Sequence, residues 1–267
     1  PRVLSGHVDA ARSVAVHPEG RLAASGGPGG IARIWDLHTG EPVRVHAGHP
    51  ATISAVAFSP DGVHLATVDE GSFATILIRR FDTGQIVHRL QGHRRDKEPK
   101  GHRGTVPRLV YAADGGRLLS VGFDGFVRAW NTETGVLERQ KQVGADRLYA
   151  LALGPRGRRL AVAGATKSVL LLDAESLEVQ RTLVGHAGSV RGVALHPVGR
   201  ILASVSEDET IRIWNVRTGR EVVSLARPGG TIYTVEFHPS GAFLAHGSKD
   251  KTIRVFKLSH LPEREFY

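Results

Sequence analysis

Residues 204–219, SVSEDETIRIWNVRTG, set three consecutive acids, Glu207, Asp208 and Glu209, ahead of an alternating strand that carries Trp214 near its end. Carboxylates accept hydrogen bonds and ligate metals, and an indole adds a large apolar area with one N–H donor. The chain also holds 14 histidines and a glycine cluster, GGPGG, at 26–30. Such residue types raise three chemistries: metal ligation, phosphate cradling and nucleophilic catalysis. Each depends on spacing. Most of the histidines fall into GH and HP pairs spread along the chain, with no H-E-x-x-H, which is not a ligand pattern. GGPGG lacks the following Lys and helix of a phosphate loop, and no G-x-S-x-G elbow occurs. The residues therefore predict no enzyme, no catalytic group, no metal and no cofactor.

The bulk properties narrow the class. A chain of 267 residues can bury roughly three quarters of its unfolded surface without staples. There is no cysteine, so disulfides and thiolate metal sites are excluded and a cytoplasmic location is expected. No apolar run of about 18 residues occurs, so no membrane helix is expected. The chain begins at Pro1 and contains no methionine, which reads as a portion of a larger protein. With 35 Lys and Arg against 26 Asp and Glu the net charge is +9, a sign that steers acidic partners or nucleic acid toward the chain.

The elements that would position these residues repeat. Trp130 and Trp214 lie two steps of 42 apart, and the same step lands on Leu172 and Phe256; Trp35 opens the series, and Arg79 of TILIRRFDTG takes the remaining slot. Glycines recur at 20, 62, 115, 157, 199 and 241, within HPEG-like turns that require a positive φ. Six repeats are expected, at about 6–47, 48–91, 101–143, 144–184, 185–226 and 227–267, forming one domain 1–267 with a basic insertion at 93–103. Each reads as four short strands; in the fifth these are SVRGVAL, RILASVS, TIRIWNV and EVVSLA. In the first strands Val14, Val16, Val56, Phe58, Val193 and Leu195 form a large apolar face, and Ala15, Ala55, Ala57 and Ala194 a small one. Sheets covered on both sides need such complementarity, and a repeat of this period predicts an all-β propeller of four-stranded blades. Six blades are expected, with seven as the alternative.

The pairs Gly6-His7, Gly48-His49, Gly101-His102 and Gly185-His186, together with Trp-Asp or Trp-Asn pairs downstream, resemble the WD-repeat family over essentially the whole chain. The resemblance implies buried tetrads of His, Ser or Thr, Asp and Trp: His186, Ser204, Asp208 and Trp214 in the fifth repeat, and His102, Ser120, Asp124 and Trp130 in the third. The first repeat keeps His7, Ser25 and Trp35 but has Gly29 in the Asp slot; the second has Arg79 for Trp, unless a slip brings in Phe81. The fourth has Gly144, Val162, Thr166 and Leu172, and the sixth has His246, Asp250 and Phe256. Ser, His and Asp also suggest a hydrolase triad, but that requires an exposed nucleophile and an oxyanion hole. A serine engaged with a buried indole offers neither, so the tetrads read as structural.

The same resemblance implies a docking rim at the end where the first strands begin. Two columns would line it: Arg12, Ser54, Pro107, Tyr149, Arg191 and Tyr233, and beside them Pro28, Glu70, Phe123, Ala165, Glu207 and Lys249. Arg and aromatic residues anchor protein interfaces, so Arg12, Phe123, Tyr149, Arg191 and Tyr233 are the candidate protein-binding residues, with Tyr149 and Tyr233 sharing the parity of the core. The insertion HRRDKEPKGHR carries +3 at this end, whereas GPRGRRL (154–160) sits at the other. That split argues against a single nucleic-acid track. The expected function is a scaffold for protein or peptide partners, acidic ones included, with nucleic-acid or ribonucleoprotein binding as the alternative, no membrane partner, and a monomeric domain.

Overall fold

The computed structural model describes residues 4–7, 9–71, 73–90, 104–144, 147–226 and 229–258. Among them are 23 strands, one 3-10 turn at Pro28–Gly30, and no α-helix. The chain divides into two compact units, Pro1–Gln140 and Lys141–Tyr267. Each is built of antiparallel sheets in which consecutive strands are neighbours, so the architecture is all-β, with six propeller blades.

The first unit holds three blades. Blade 1 is β1 (Ser13–Val16), β2 (Leu22–Gly26), β3 (Ala32–Asp36) and β4 (Pro42–His46); blade 2 is β5 (Ile53–Phe58), β6 (His64–Asp69), β7 (Ile76–Arg80) and β8 (Ile86–Leu90). Blade 3 is β9 (Arg108–Tyr111), β10 (Arg117–Val121), β11 (Phe126–Asn131) and β12 (Leu137–Gln142), whose last two residues belong to the second unit. In that second unit blade 4 is β13 (Leu148–Leu153), β14 (Arg159–Gly164), β15 (Ser168–Asp173) and β16 (Val179–Val184). Blade 5 is β17 (Val190–Leu195), β18 (Ile201–Ser206), β19 (Thr210–Asn215) and β20 (Glu221–Ala226). Blade 6 has three strands among the described residues, β21 (Ile232–Phe237), β22 (Phe243–Ser248) and β23 (Ile253–Lys257), against the four expected. Residues 4–7 form no strand, and residues 1–3, the insertion 93–103 and residues 259–267 lie outside the described residues.

Sequence spacing becomes register through the turns. The recurrent glycines at 20, 62, 115, 157, 199 and 241 all have φ between +66° and +76°, the left-handed region that favours glycine. In blade 5 the Gly199 N–H donates to the His196 carbonyl at 2.6 Å, and His196 N–H reaches back to Ile201 at 3.0 Å. The turn thereby sets the β17–β18 pairing, Leu195 opposite Leu202.

The two apolar parities interlock within each unit. Small Ala55 and Ala57 of blade 2 pack in one cluster with Leu109 and Tyr111 of blade 3. Ala150, Ala161 and Ala163 of blade 4 share a core with Val193, Leu202 and Trp214 of blade 5. A fully buried Leu or Ile contributes about 1.5–3 kcal/mol, so these seams are the main favourable term. The expectation that both faces of every sheet are covered fails on several strands, among them the first of blade 1 and the last described of blade 6. Val14 and Val16 of β1 are 65% and 56% exposed, and Ile253 and Val255 of β23 are 79% and 64% exposed.

Candidate functional site

Blade 5 brings its four predicted residues into one relay. The Trp214 indole N–H donates to Ser204 Oγ at 2.8 Å, and Ser204 Oγ lies 2.7 Å from His186 Nε2. His186 Nδ1 lies 2.9 Å from Asp208 Oδ2. A carboxylate only accepts, so Nδ1 carries the ring proton, Nε2 accepts from the serine, and every member is satisfied by a neutral imidazole. Burial holds the His186 pKa below its usual value despite the attraction of Asp208. For Asp208 burial pushes the other way, but hydrogen bonds from Thr210, His186 and the Ala187 N–H outweigh it and hold the carboxyl at about 2. Ser204 is fully buried and already accepts from the indole, so its oxygen is not presented to a substrate.

The other blades carry partial versions. In blade 3 the Trp130 indole donates to Ser120 at 2.9 Å, and Asp124 receives the buried Arg128 guanidinium at 2.8 Å; His102 lies outside the described residues. In blade 1 Trp35 donates to Ser25, and Ser25 meets His7 Nε2, both at 2.7 Å. Blade 4 is apolar at these positions, with Val162 and Leu172 fully buried and paired across β14 and β15 to Leu170 and Leu160. In blade 6 His246 stacks on Phe256 at 5.4 Å, and Asp250 accepts Arg254 at 2.7 Å.

Blade 2 keeps Arg79 in the Trp slot, as its spacing has it, and departs from the pattern at the acid. Arg79 stands opposite Leu65, as Trp214 stands opposite Leu202, so no slip brings Phe81 into the slot. Its side chain is buried, one nitrogen donates to the Ala47 carbonyl at 2.9 Å, and Nε and the second terminal nitrogen have no partner among the described residues. Burial, then the charge of Arg89, lowers its pKa. Beside it His49 still spans Thr67, at 2.8 Å, and a carboxylate at 3.2 Å, but that carboxylate is Asp69. Sequence reasoning missed Asp69 because it lies two residues after the hydroxyl, where Asp208 lies four after Ser204. The missed signal is the TVD triplet, with Gly71 in the usual acid slot.

The HP histidines have a separate geometry. His17 Nε2 meets the Gly62 carbonyl at 3.2 Å and His196 Nε2 the Gly241 carbonyl at 3.1 Å, each tying one blade to the next within its unit.

Four of the six residues of the first column sit at β-bulges, and one of these, Ser54, stays buried. The pairing register skips one residue between Ile53 and Ala55, Leu148 and Ala150, Val190 and Gly192, and Ile232 and Thr234. The skipped residues are Ser54, Tyr149, Arg191 and Tyr233. A bulge re-aims its side chain and disrupts alternation, so the parity argument that placed the tyrosines with the core does not apply at these positions. Tyr233 is 47% exposed, and among the described residues its hydroxyl has no partner. The second column sits alongside: Glu70, Phe123, Glu207 and Lys249 donate their backbone N–H to Thr52, Thr105, Ser189 and Thr231, which enter the first strands.

Within the second unit Tyr149, Arg191 and Glu207 come together. The Arg191 guanidinium lies 4.1 Å from the Tyr149 ring centre, and its Nε donates to Glu207 at 2.8 Å. Hydrogen bonds from Ser189 and Arg191 lower the Glu207 pKa. In the first unit Arg12 lies 3.9 Å from Glu70, while Phe123, in the second column, is half-buried. No helix of the described residues is long and apolar enough to cross a membrane.

A family profile described as "WD domain, G-beta repeat" matches residues 1–36, 40–73, 84–131, 177–215 and 219–257. The gap between 131 and 177 holds most of blade 4, whose polar relay is replaced by apolar residues. Among curated proteins the chain is 34% identical over 137 residues to "Small ribosomal subunit protein RACK1" of Medicago sativa, covering 48% of this chain and 41% of that protein. It is 37% identical over 123 residues to "Coronin-7" of Mus musculus, covering 46% and 12%. It is 23% identical over 205 residues to "Protein hir1" of Schizosaccharomyces pombe, covering 67% and 22%. The chain thus spans less than half the length of each of these relatives. The matched segments cover most of the sequence, and the chain belongs to the WD-repeat family.

Proposed function

We propose that the chain is a non-catalytic scaffold that docks protein or peptide partners on the rim formed by its bulged first strands. WD-repeat relatives serve in general as protein-interaction scaffolds. The observation that carries the reading is the bulge column: it turns Tyr149, Arg191 and Tyr233 out of the core on rigid strands, beside Glu207 and Lys249. Arg12, Glu70 and Phe123 supply the same two columns in the first unit. Aromatic and Arg side chains anchor interfaces because they present large contact area with a polar tip. A net charge of +9 favours acidic partners through long-range attraction. A monomeric domain fits this use.

Nucleic-acid or ribonucleoprotein binding is the second reading, favoured by the same charge and by the ribosomal name of the Medicago relative. Affinity capture from lysate, with and without nuclease, separates the two when run beside an Arg12→Glu/Phe123→Ala/Arg191→Glu triple variant. Proteins retained after nuclease and lost in the variant are the expected result. Retention abolished by nuclease in both chains overturns the protein-docking reading in favour of nucleic acid.

A further inference from the structure

Away from the rim, in the second unit, the β13–β14 turn of blade 4 and the β17–β18 and β19–β20 turns of blade 5 surround a cleft of about 620 Å³. Five arginines line it, Arg156, Arg158, Arg159, Arg200 and Arg217, against one carboxylate, Asp173. Five positive charges and one negative leave +4 in a single cleft. All five arginines are exposed, and among the described residues none makes a side-chain ion pair or hydrogen bond.

Blade 1 shows what ordinarily answers such a charge. There Arg21 follows the turn glycine, and its Nε donates at 3.2 Å to Asp36, the residue after Trp35. The aligned pairs are Arg158 with Asp173 in blade 4 and Arg200 with Asn215 in blade 5. In blade 5 the carboxylate is an amide, and its Oδ1 is engaged by the N–H groups of Arg217 and Thr218 at 3.0 and 2.9 Å. In blade 4 Asp173 Oδ1 accepts from the N–H groups of Glu175 and Ser176, at 3.1 and 2.8 Å, and from the Ser176 hydroxyl at 3.0 Å, much as Asp36 Oδ1 accepts from His38 and Thr39 in blade 1, so the surplus charge of blade 4 lies in Arg156 and Arg159. Blade 1 also has Glu19 where blade 4 has Arg156. The same turns are thus charge-matched in one blade and left cationic in two adjoining ones.

We propose that this cleft binds a small, multiply phosphorylated anion. Guanidinium forks match phosphate oxygens in bidentate pairs, and several forks around one cavity select density of negative charge over a single phosphate. A cleft of this volume is in the range of small-ligand sites. Its lining has no aromatic ring, so nothing stacks on a base and the recognition is of the phosphates themselves.

Isothermal titration of the chain with inorganic tripolyphosphate tests this, beside an Arg156→Gln/Arg158→Gln/Arg200→Gln variant and a charge-matched control, Lys251→Gln/Arg254→Gln/Lys257→Gln. The expected result is saturable single-site binding that weakens at least tenfold in the cleft variant and less than threefold in the control. Asn215→Asp restores the acid that blade 1 carries with almost no change in shape, and is expected to weaken binding at least threefold. Absence of saturable binding, equal losses in the cleft variant and the control, or an Asn215→Asp chain that binds as tightly as the parent would overturn the proposal. So would tight binding of a DNA duplex lost in the cleft variant while tripolyphosphate fails to bind, which assigns the arginines to nucleic acid.

Discussion

Blades 5 and 2 occupy the same strand pattern with different solutions at its centre. In blade 5 an indole, a hydroxyl, an imidazole and a carboxylate form a closed relay in which each donor has an acceptor. In blade 2 the His–Thr–Asp part survives with a relocated acid, and the indole is replaced by a buried guanidinium that makes one hydrogen bond and leaves two nitrogens unpartnered. Both blades pair their strands in the same register. The difference teaches that register follows from the apolar alternation and turns, whereas the polar relay adds stability to a sheet already specified. A fully satisfied buried network is favourable and a partly satisfied one costs free energy, so the two blades contribute unequally to the same fold.

The contrast is broken most forcefully at Arg79. Arg79→Met removes a buried cation of which two nitrogens lack partners and keeps an unbranched apolar side chain. Stability is expected to rise, by about 1–4 kcal/mol as for other buried ions replaced by apolar residues, read from urea unfolding of the two chains. A fall in the midpoint would show instead that the bond to Ala47 outweighs the desolvation of the charge.

The hydroxyls sharpen the comparison with a smaller effect. Ser204→Ala orphans both the Trp214 N–H and His186 Nε2 and is expected to destabilise by about 1–3 kcal/mol. Thr67→Val orphans only His49 and conserves shape, so its loss should be the smaller of the two. Equal losses would mean that the indole bond in blade 5 contributes nothing beyond packing. The Ser204 result also bears on chemistry, because an activity abolished by Ser204→Ala at unchanged stability would contradict a purely structural relay.

The smallest effect near neutrality is in pH. Folded His186 has a lowered pKa, so the unfolded chain takes up a proton first, near 6.5. Its contribution to stability is complete above that value and declines as pH falls toward the folded one. Asp208, at about 2 folded against 3.8 unfolded, contributes above 3.8 and loses that contribution as pH falls through about 2. Melting curves from pH 8 to about pH 2 should therefore decline in two stages, and Asp208→Asn should flatten the acid stage. A wild-type profile with no decline between pH 7 and pH 5 would contradict the neutral, buried His186.

Much of this was legible in the residues. The step between Trp130 and Trp214, the glycine column and the alternating first strands point to an array of short-stranded blades and place their turns, with six or seven blades left open, because those features depend on neighbours in sequence: turn sterics, strand period and apolar parity. The relay of blade 5 was legible too, since its spacing repeats. Tertiary structure alone decided the rest. Asp69 reaches His49 from the end of β6, where it pairs with Ile53 at the start of β5. Tyr149 and Tyr233 leave the core only because a bulge interrupts the pairing, which alternation in sequence does not record. Arg79 is buried because its slot is buried, against its own preference for water. The five arginines of the cleft lie on three turns separated in sequence and meet only once the blades pack. Local periodicity states what each strand prefers; which polar groups are then left facing one another is settled by the packing of distant segments.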